Sequence, residues 1–464
     1  MTSIQASIAA SRFGLGVRPG ELDGIARDHR GWILSQIQQP AAVPRQIAAM
    51  PSSAQLGNTV VEMLTRGRRM RGMSEDVRRT NRQQMTRNAL QMYRNEAIAR
   101  TQSAIQTTTP VYERLVHFWS NHFTVSASKN EARPFLGGFE REVIRPNVLG
   151  KFGDMLLAST RHVAMLLYLD QAQSIGPNSI AGRFGDRGLN ENLAREILEL
   201  HTLGVDGGYG QDDVLALSKM LTGWTVGGIR AVLPERAQSR LPEANGGDFI
   251  FAELFHEPGA KTLLGKSFPE AGEGEARAAL AMLATHPSTA RFIATKLARH
   301  FIADDPPQRA IDQLAAVFLN TGGDLRAVTM ALVDLPEVWA DPLPKVRSPN
   351  DFVIALARAA NVPVPDQDLL KGMRDFGQPV WSAPSPAGWP DTAQAWLAPE
   401  SLMRRVDAAR SVAQAIPNSI EPMAFLEDTI GPVANADTAI WTARAPDRVE
   451  AIGLVLASPE FQRR

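Results

Sequence analysis

Residues 189–224, LNENLAREILELHTLGVDGGYGQDDVLALSKMLTGW, hold the densest cluster of side chains able to do chemistry. Two helical patterns joined by a Gly-rich connection carry Glu191, Asn192, Arg195, Glu196, Glu199 and His201. Asn190 suits the N-cap, because its side chain can accept a bond from an unpaired first-turn amide. Gly204 suits a left-handed stop. At about 100° per residue, Glu191, Asn192, Arg195, Glu196 and Glu199 share one arc of roughly 140°. Leu193, Ile197 and Leu200 lie opposite, and His201 falls nearer the apolar side. Glu196 and His201 are five apart, so this is not the i, i+4 pair of a zinc-protease helix. Two accounts of the arc compete. In one, Arg195 holds two carboxylates and leaves Glu196 free for acid–base work. In the other, preferred on spacing alone, it is a solvated face tied by ion pairs worth about a few tenths of a kcal/mol each. Asp212 and Asp213, in the first turn of the second helix, read as capping and dipole residues.

A second stretch, PVYERLVHFWSNHFT at 110–124, places Glu113, His117 and Asn121 at i, i+4 and i+8 on one helical stripe, with His122 alongside. Such a stripe could orient an imidazole for proton transfer or a metal. A helix-to-core contact with each histidine satisfied by one hydrogen bond is the preferred account. Asp170 ends the apolar run HVAMLLYLD and faces a polar loop, which makes it a pocket-edge carboxylate. His256, Glu257 and Lys261 cluster where the pattern turns to period two, DFIFAELFHEPGAKTLLGKSF. That reads as a short hairpin-like insert near 246–267. Its Gly259 to Gly265-Lys266-Ser267 run imitates a phosphate loop, but the glycine spacing is one residue too long and no strand–helix pair flanks it. Lys296 and His300 are spaced i, i+4 on a later helix. A loop at 376–399 contains five prolines and Trp381, Trp389 and Trp396. Rings on a Pro-rich loop can stack on sugars or flat ligands; a strap packing its rings onto the helices beneath is preferred.

The elements that must position these groups are mainly helices. Residues 21–38 form an amphipathic pattern with Trp32, Ile33 and Ile37 on its apolar face, broken by Pro40 and Pro44. Between 66 and 100 ten arginines stand against Glu75, Asp76 and Glu96. That run could meet an anionic partner such as RNA, phospholipid or an acidic polysaccharide. It lacks the interleaved aromatics of a single-strand binder, and the wet face of a long helical arm is preferred. The expected fold is therefore mainly α, a large multi-helix bundle with one small hairpin-like insert. It reads as one domain over 1–464, subdivided into an arm at 1–110, a motif-bearing core at 111–345 and a C-terminal helical part at 346–464.

The chain has 464 residues, 44% hydrophobic and 21% charged, with zero formal net charge and no cysteine. Nothing global draws it to nucleic acid or an anionic membrane. Disulfides, thiolate metal sites and cysteine nucleophiles are excluded. The start, MTSIQASIAASRFGLG, lacks a basic n-region, and no run approaches the length of a membrane span. A soluble cytoplasmic protein is the default, with a periplasmic or exported one left open.

Together NENLAREILELHTLGVDGGYGQDDV with LTGW, HFWSNHF, MLLYLD, HEPGAKTLLG, GWPD and the terminal LASPEF resemble the bacterial family known as domain of unknown function 1800. Glu257 stands where that family usually has Asp. The resemblance covers nearly the whole chain and implies a largely α-helical protein. It also implies a gene neighbourhood shared with sulfatase- or phosphatase-like secreted proteins, and it supplies no activity, substrate or cofactor.

Two functions follow as expectations. The first is an enzyme, most simply a hydrolase, in a cleft around 189–224. There Glu196 or Glu199 acts as base or metal ligand, with Asp170 as a second carboxylate. His122 and His256 serve as acids or ligands, and Arg195 and Lys261 bind an anion beside Asn192 and Trp224. Oxygen and imidazole donors would suit zinc, manganese or magnesium. The second is a non-catalytic helical scaffold, serving a neighbouring hydrolase or carrying a polymer, in which the same residues form a buried network.

Overall fold

A computed structural model of the chain describes residues 3–38, 42–69, 73–184 and 188–464. Pro40 and Arg71 lie outside them, as do the side chains of Arg68 and Arg69 in the basic run. The molecule is mainly helical, and local signals explain most helix boundaries. Asp324 and Ser348 cap Leu325–Asp334 and Pro349–Ala360 through their side chains. Unpaired imidazole nitrogens do the same job for His162 and His286, accepting from Ala164 N and Ser288 N at 3.1 Å each. Residues 21–38 depart from expectation. They form two helices, Glu21–Arg27 and His29–Ile37, because Asp28 turns out of helical geometry and caps the second by accepting from Gly31 N at 2.8 Å.

Two apolar cores organise the helices. The larger gathers Phe13, Trp119, Phe123, Phe152, Trp224, Phe301 and Phe318, all buried. The second gathers Phe352, Met373, Ile416, Phe425, Leu456 and Phe461, and takes Leu15, Ala97 and Ala104 from early in the chain. The 32-residue helix Glu75–Gln106 bridges them. Its first turns are exposed nearly all round, and burial begins at Glu96. The expected wet arm is therefore the outer half of this helix. Arg100 is no part of a surface patch: it is buried and ion-paired to Glu140 at 2.7 Å.

The β structure is slight. Lys261–Leu263 and Lys266–Phe268 pair antiparallel across Leu264-Gly265, both with positive φ, as a two-residue hairpin turn requires. The phosphate-loop lookalike is this hairpin. Phe249–Phe251 pairs with Trp224–Val226, which joins the insert to the end of the second motif helix. No helix among the described residues is long and apolar enough to cross a membrane.

Candidate active site

The helix Pro110–His122 starts with proline at N1 and buries most of its surface. Its Arg114, His117, Phe118, Asn121 and His122 fall on neighbouring stripes and line a cavity of about 330 Å³. The helix Pro287–Phe301 supplies Lys296, Arg299 and His300 to the same wall, with Phe118 packed 5.2 Å from the His300 ring. Ser348, Asn350 and Asp351 come from the start of Pro349–Ala360, and the Pro- and Trp-rich loop closes the remaining side.

That loop is pinned along its length. Ala127 N donates to Trp381 O at 2.7 Å and Ser126 Oγ to Ala383 O at 2.7 Å. Asn121 mimics a strand partner, its amide donating to Trp389 O at 2.9 Å and accepting from Trp389 N at 2.8 Å. Gly388 makes this approach feasible. It sits at φ +82°, and a Cβ there would lie 2.5 Å from Asn121 O. Trp381 also occupies left-handed backbone, at φ 47°. Its indole N–H is held by Glu140 at 3.2 Å, and its ring lies 5.5 Å from the Arg100 guanidinium. A bulky residue held in that region marks a position that its surroundings over-determine. Trp396 is buried and donates to Pro390 O at 3.2 Å. The loop is thus both the expected strap and a wall of the cavity.

Pinning Trp389 delivers Asp391. Its Oδ2 lies 2.5 Å from His300 Nδ1, and its Oδ1 lies 3.2 Å from Lys345 Nζ and 3.8 Å from Arg464 Nη2. Burial works to raise the Asp391 carboxyl, but His300, Lys345 and Arg464 together hold it well below the usual carboxylate range. Burial lowers His300 to about 4 against the pull of Asp391. At neutral pH the pair is an ionised aspartate and a neutral imidazole whose Nδ1–H donates to it. His300 Nε2 then carries a lone pair, and it is buried with no hydrogen-bond partner among the described residues. The tautomer of His122 is fixed in the opposite sense. Its Nε2 donates to His201 O at 3.1 Å, which leaves Nδ1 as the buried, unpartnered nitrogen. Burial, then Lys296 and His201, hold His122 well below the ordinary histidine value. Asp351 is gripped by Arg114 at 3.2 Å and Arg464 at 3.1 Å, and these cations overcome burial to keep it at about 2.

The family described as "Protein of unknown function (DUF1800)" matches residues 8–463. The chain belongs to the DUF1800 family. No curated protein matches the chain, and no solved structure does.

In this DUF1800 chain, His122 alone of the residues expected in the cleft around 189–224 lines the cavity. The helix pair at 189–224 backs the cavity instead, through His201. Asn190 sits one residue ahead of the N-cap, which is Glu191 and makes no side-chain capping bond; Asn190 accepts from Asn192 N at 2.9 Å from there. Gly204 is left-handed at φ +85°, where a Cβ would meet Phe292 at 2.9 Å. The single arc does not persist, however. After Glu196 the helix continues as a π-turn, Ile197–Thr202, with Leu203 N bonded to Leu198 O at 3.0 Å. Arg195 bonds Glu191 at 2.9 Å and Gln211 at 3.0 Å on the half-exposed face. Glu199 accepts from Tyr209 OH at 3.4 Å, and Asn192 is exposed. Asp170 takes both its bonds from Lys129 Nζ at 2.7 Å. Trp224 is buried edge-on to Phe249.

Glu196 is half-buried, and burial followed by the like charge of Glu199 pushes its carboxyl up to about 7, over the opposing Arg195. A carboxyl raised in the folded state favours its protonated form, so the ionised form weakens the fold as pH climbs from the unfolded value through 7. Glu196→Gln is expected to raise the melting temperature at pH 8 and leave it unchanged near pH 4. A lower melting temperature at pH 8 would instead give the carboxylate a stabilising ion pair.

The segment around His256 is a closed network. Glu275, fully buried, faces His256 Nε2 at 3.3 Å and Lys261 Nζ at 2.7 Å. His256 Nδ1 donates to Thr222 O at 2.9 Å. Glu257 accepts from Asn178 N at 2.8 Å and from its side-chain amide at 2.6 Å.

One further constellation looks catalytic and is not. Ser53 Oγ, His162 Nε2 and Glu142 meet within 3.2 Å. Because His162 Nδ1 accepts from a helix amide, Nε2 carries the proton and cannot take one from Ser53. Among the described residues no three His, Asp or Glu side chains group as metal ligands.

Part of the cavity lining stands out in the sequence, as the Lys296/His300 spacing, the His117 and Asn121 of the 110–124 stripe and the GWPD run. Nothing in the sequence signals that they meet.

Proposed function

We propose that this protein is a hydrolase that works by general-base catalysis in the cavity between Pro110–His122, Pro287–Phe301 and the 376–399 strap. One observation carries the reading: His300 lines the cavity with its Nδ1 held by the ionised Asp391, and its Nε2 lone pair has no partner among the described residues. Unsatisfied buried polar atoms are rare because each costs about 1–3 kcal/mol. An imidazole held in one tautomer by a carboxylate, with its other nitrogen free, is the arrangement that accepts a proton from water or a substrate hydroxyl.

The step balances simply. Water adds its oxygen to an ester carbon, phosphorus or sulfur centre as Nε2 takes its proton. The bond to the leaving oxygen then breaks, and that oxygen takes the proton back from the imidazolium. Asp391 stabilises the imidazolium, and the surrounding cations stabilise the charge that builds on the reacting centre. The volume lies at the small end of the about 300–1,000 Å³ range of ligand pockets, so the substrate is a small molecule.

The test is a panel of neutral and anionic aryl esters, aryl phosphates and aryl sulfates, run with the full chain and with His300→Gln. Turnover by the parent and its loss in a folded variant are expected. Turnover that survives in His300→Gln, or none on any substrate, would overturn the reading.

A scaffold function remains the second reading, supported by the mutual satisfaction of His256, Lys261 and Glu275. That network accounts for its own segment and leaves the free nitrogen of His300 unexplained.

A further inference from the structure

The charges around the cavity do not cancel. Five cations line it, Arg100, Arg114, Lys296, Arg299 and Arg464, against two carboxylates, Asp351 and Asp391. Most of this charge is already matched. Arg100 pairs with Glu140, Arg114 and Arg464 share Asp351, and Asp391 is held by Lys345, Arg464 and His300. Two cations are left over. Arg299 spends Nε on the backbone oxygen of Asp304 at 3.2 Å and meets no carboxylate among the described residues. Lys296 makes no hydrogen bond or ion pair among them; its ammonium overlies the Phe292 ring at 5.5 Å and feels the Asp391 carboxylate only from beyond ion-pair distance.

An ammonium in a mostly buried wall loses hydration and is normally compensated by a counter-charge. The ring beneath Lys296 offers only part of that compensation. Burial lowers Lys296 to about 8, so it is still charged at neutral pH. Part of the remaining lining is apolar, with Phe118, Val125, Pro379, Trp381, Trp389 and Pro390 set among polar groups such as Asn121, Asn350 and Gln378.

We infer that the cavity takes a small organic oxyanion, its acidic group on Lys296 with Arg299 in support and its ring or chain against the two tryptophans. This rests on the hydrolase reading for the use made of the ligand, and on the unpaired ammonium for the ligand itself. Carboxylate, phosphate and sulfate share the chemistry that Lys296 recognises, and the experiment separates them.

Benzoate, phenyl phosphate, phenyl sulfate and inorganic sulfate would each be titrated calorimetrically into the full chain, the Lys296→Met variant and the Asp391→Asn variant. An aryl oxyanion should bind the parent more tightly than inorganic sulfate, with the preferred headgroup naming the class. Lys296→Met should weaken that binding by about ten- to hundredfold, the range for hydrogen bonds to a charged group. It should also melt no lower than the parent without ligand, since it removes an uncompensated charge. Asp391→Asn should keep the binding and lose turnover. Equal affinity of parent and Lys296→Met, or no binding of any oxyanion, would overturn the inference even if neutral esters were turned over through His300. Tight Lys296-dependent binding without turnover of any substrate would overturn the hydrolase reading and leave the oxyanion site standing.

Discussion

Asp391→Asn is expected to cut turnover by about 10³–10⁴-fold while leaving the fold in place, the range seen when the orienting carboxylate of such a dyad is removed. Lys345 and Arg464 claim the amide oxygen, which turns the NH2 toward His300 Nδ1, so Nδ1 becomes the acceptor and the proton moves to Nε2, which gives up the base. The pH profile supplies the second half of the test. In the free enzyme the base limb of kcat/KM should lie near the His300 value of about 4, with activity falling as pH drops below it. Loss of the Lys296 charge near 8 should bring the profile down again on the alkaline side. If Asp391→Asn keeps full activity, or if it lowers stability and activity together by the same proportion as unrelated core variants, His300 is not the base.

The second large effect is on stability. Glu275 is wholly buried, is the counter-charge of Lys261 and meets His256 Nε2. Glu275→Ala should cost about 3–5 kcal/mol, because an ammonium is left in the interior with the Glu257 carbonyl but no counter-charge. Chemical denaturation of the purified chain would measure it. Replacing the trio together by apolar residues of similar volume, Glu275→Met with Lys261→Met and His256→Phe, should recover much of the loss. A single variant that unfolds no more easily than the parent would deny the network its structural role. A well-folded triple variant that has lost turnover would move His256 and Lys261 into the chemistry.

These two results bear on opposite halves of what the residue pattern conveyed. Helical class, the stop at Gly204 and the hairpin at Leu264-Gly265 are local events, decided by side chains a few residues apart, and the sequence expresses them directly. The split at Asp28 is local too, and an Asp three residues ahead of Gly31 was its signal. Two features escape. A π-turn inside 189–224 changes the register after Glu196, so an arc drawn at a constant angle merges residues that the fold separates. The cavity depends on which helices face each other, and periodicity records only that a face is apolar, never which partner covers it. His300 and Asp391 are each visible, one on a helix and one in a Pro-rich run, 91 positions apart. The resemblance carried by GWPD marked Gly388 and Asp391 without explaining them. The explanation is the close approach to Asn121, which only the assembled chain contains.

The strap also fixes when the cavity can exist. Its walls run from Arg100 to Arg464, and the bond between Arg114 and Asp351 closes a span of 237 residues. Each such closure costs entropy before any contact rewards it, and non-local pairings form late relative to local helices. The site exists only where these distant segments have met, so ligand binding reports on the assembled tertiary structure where helix content does not.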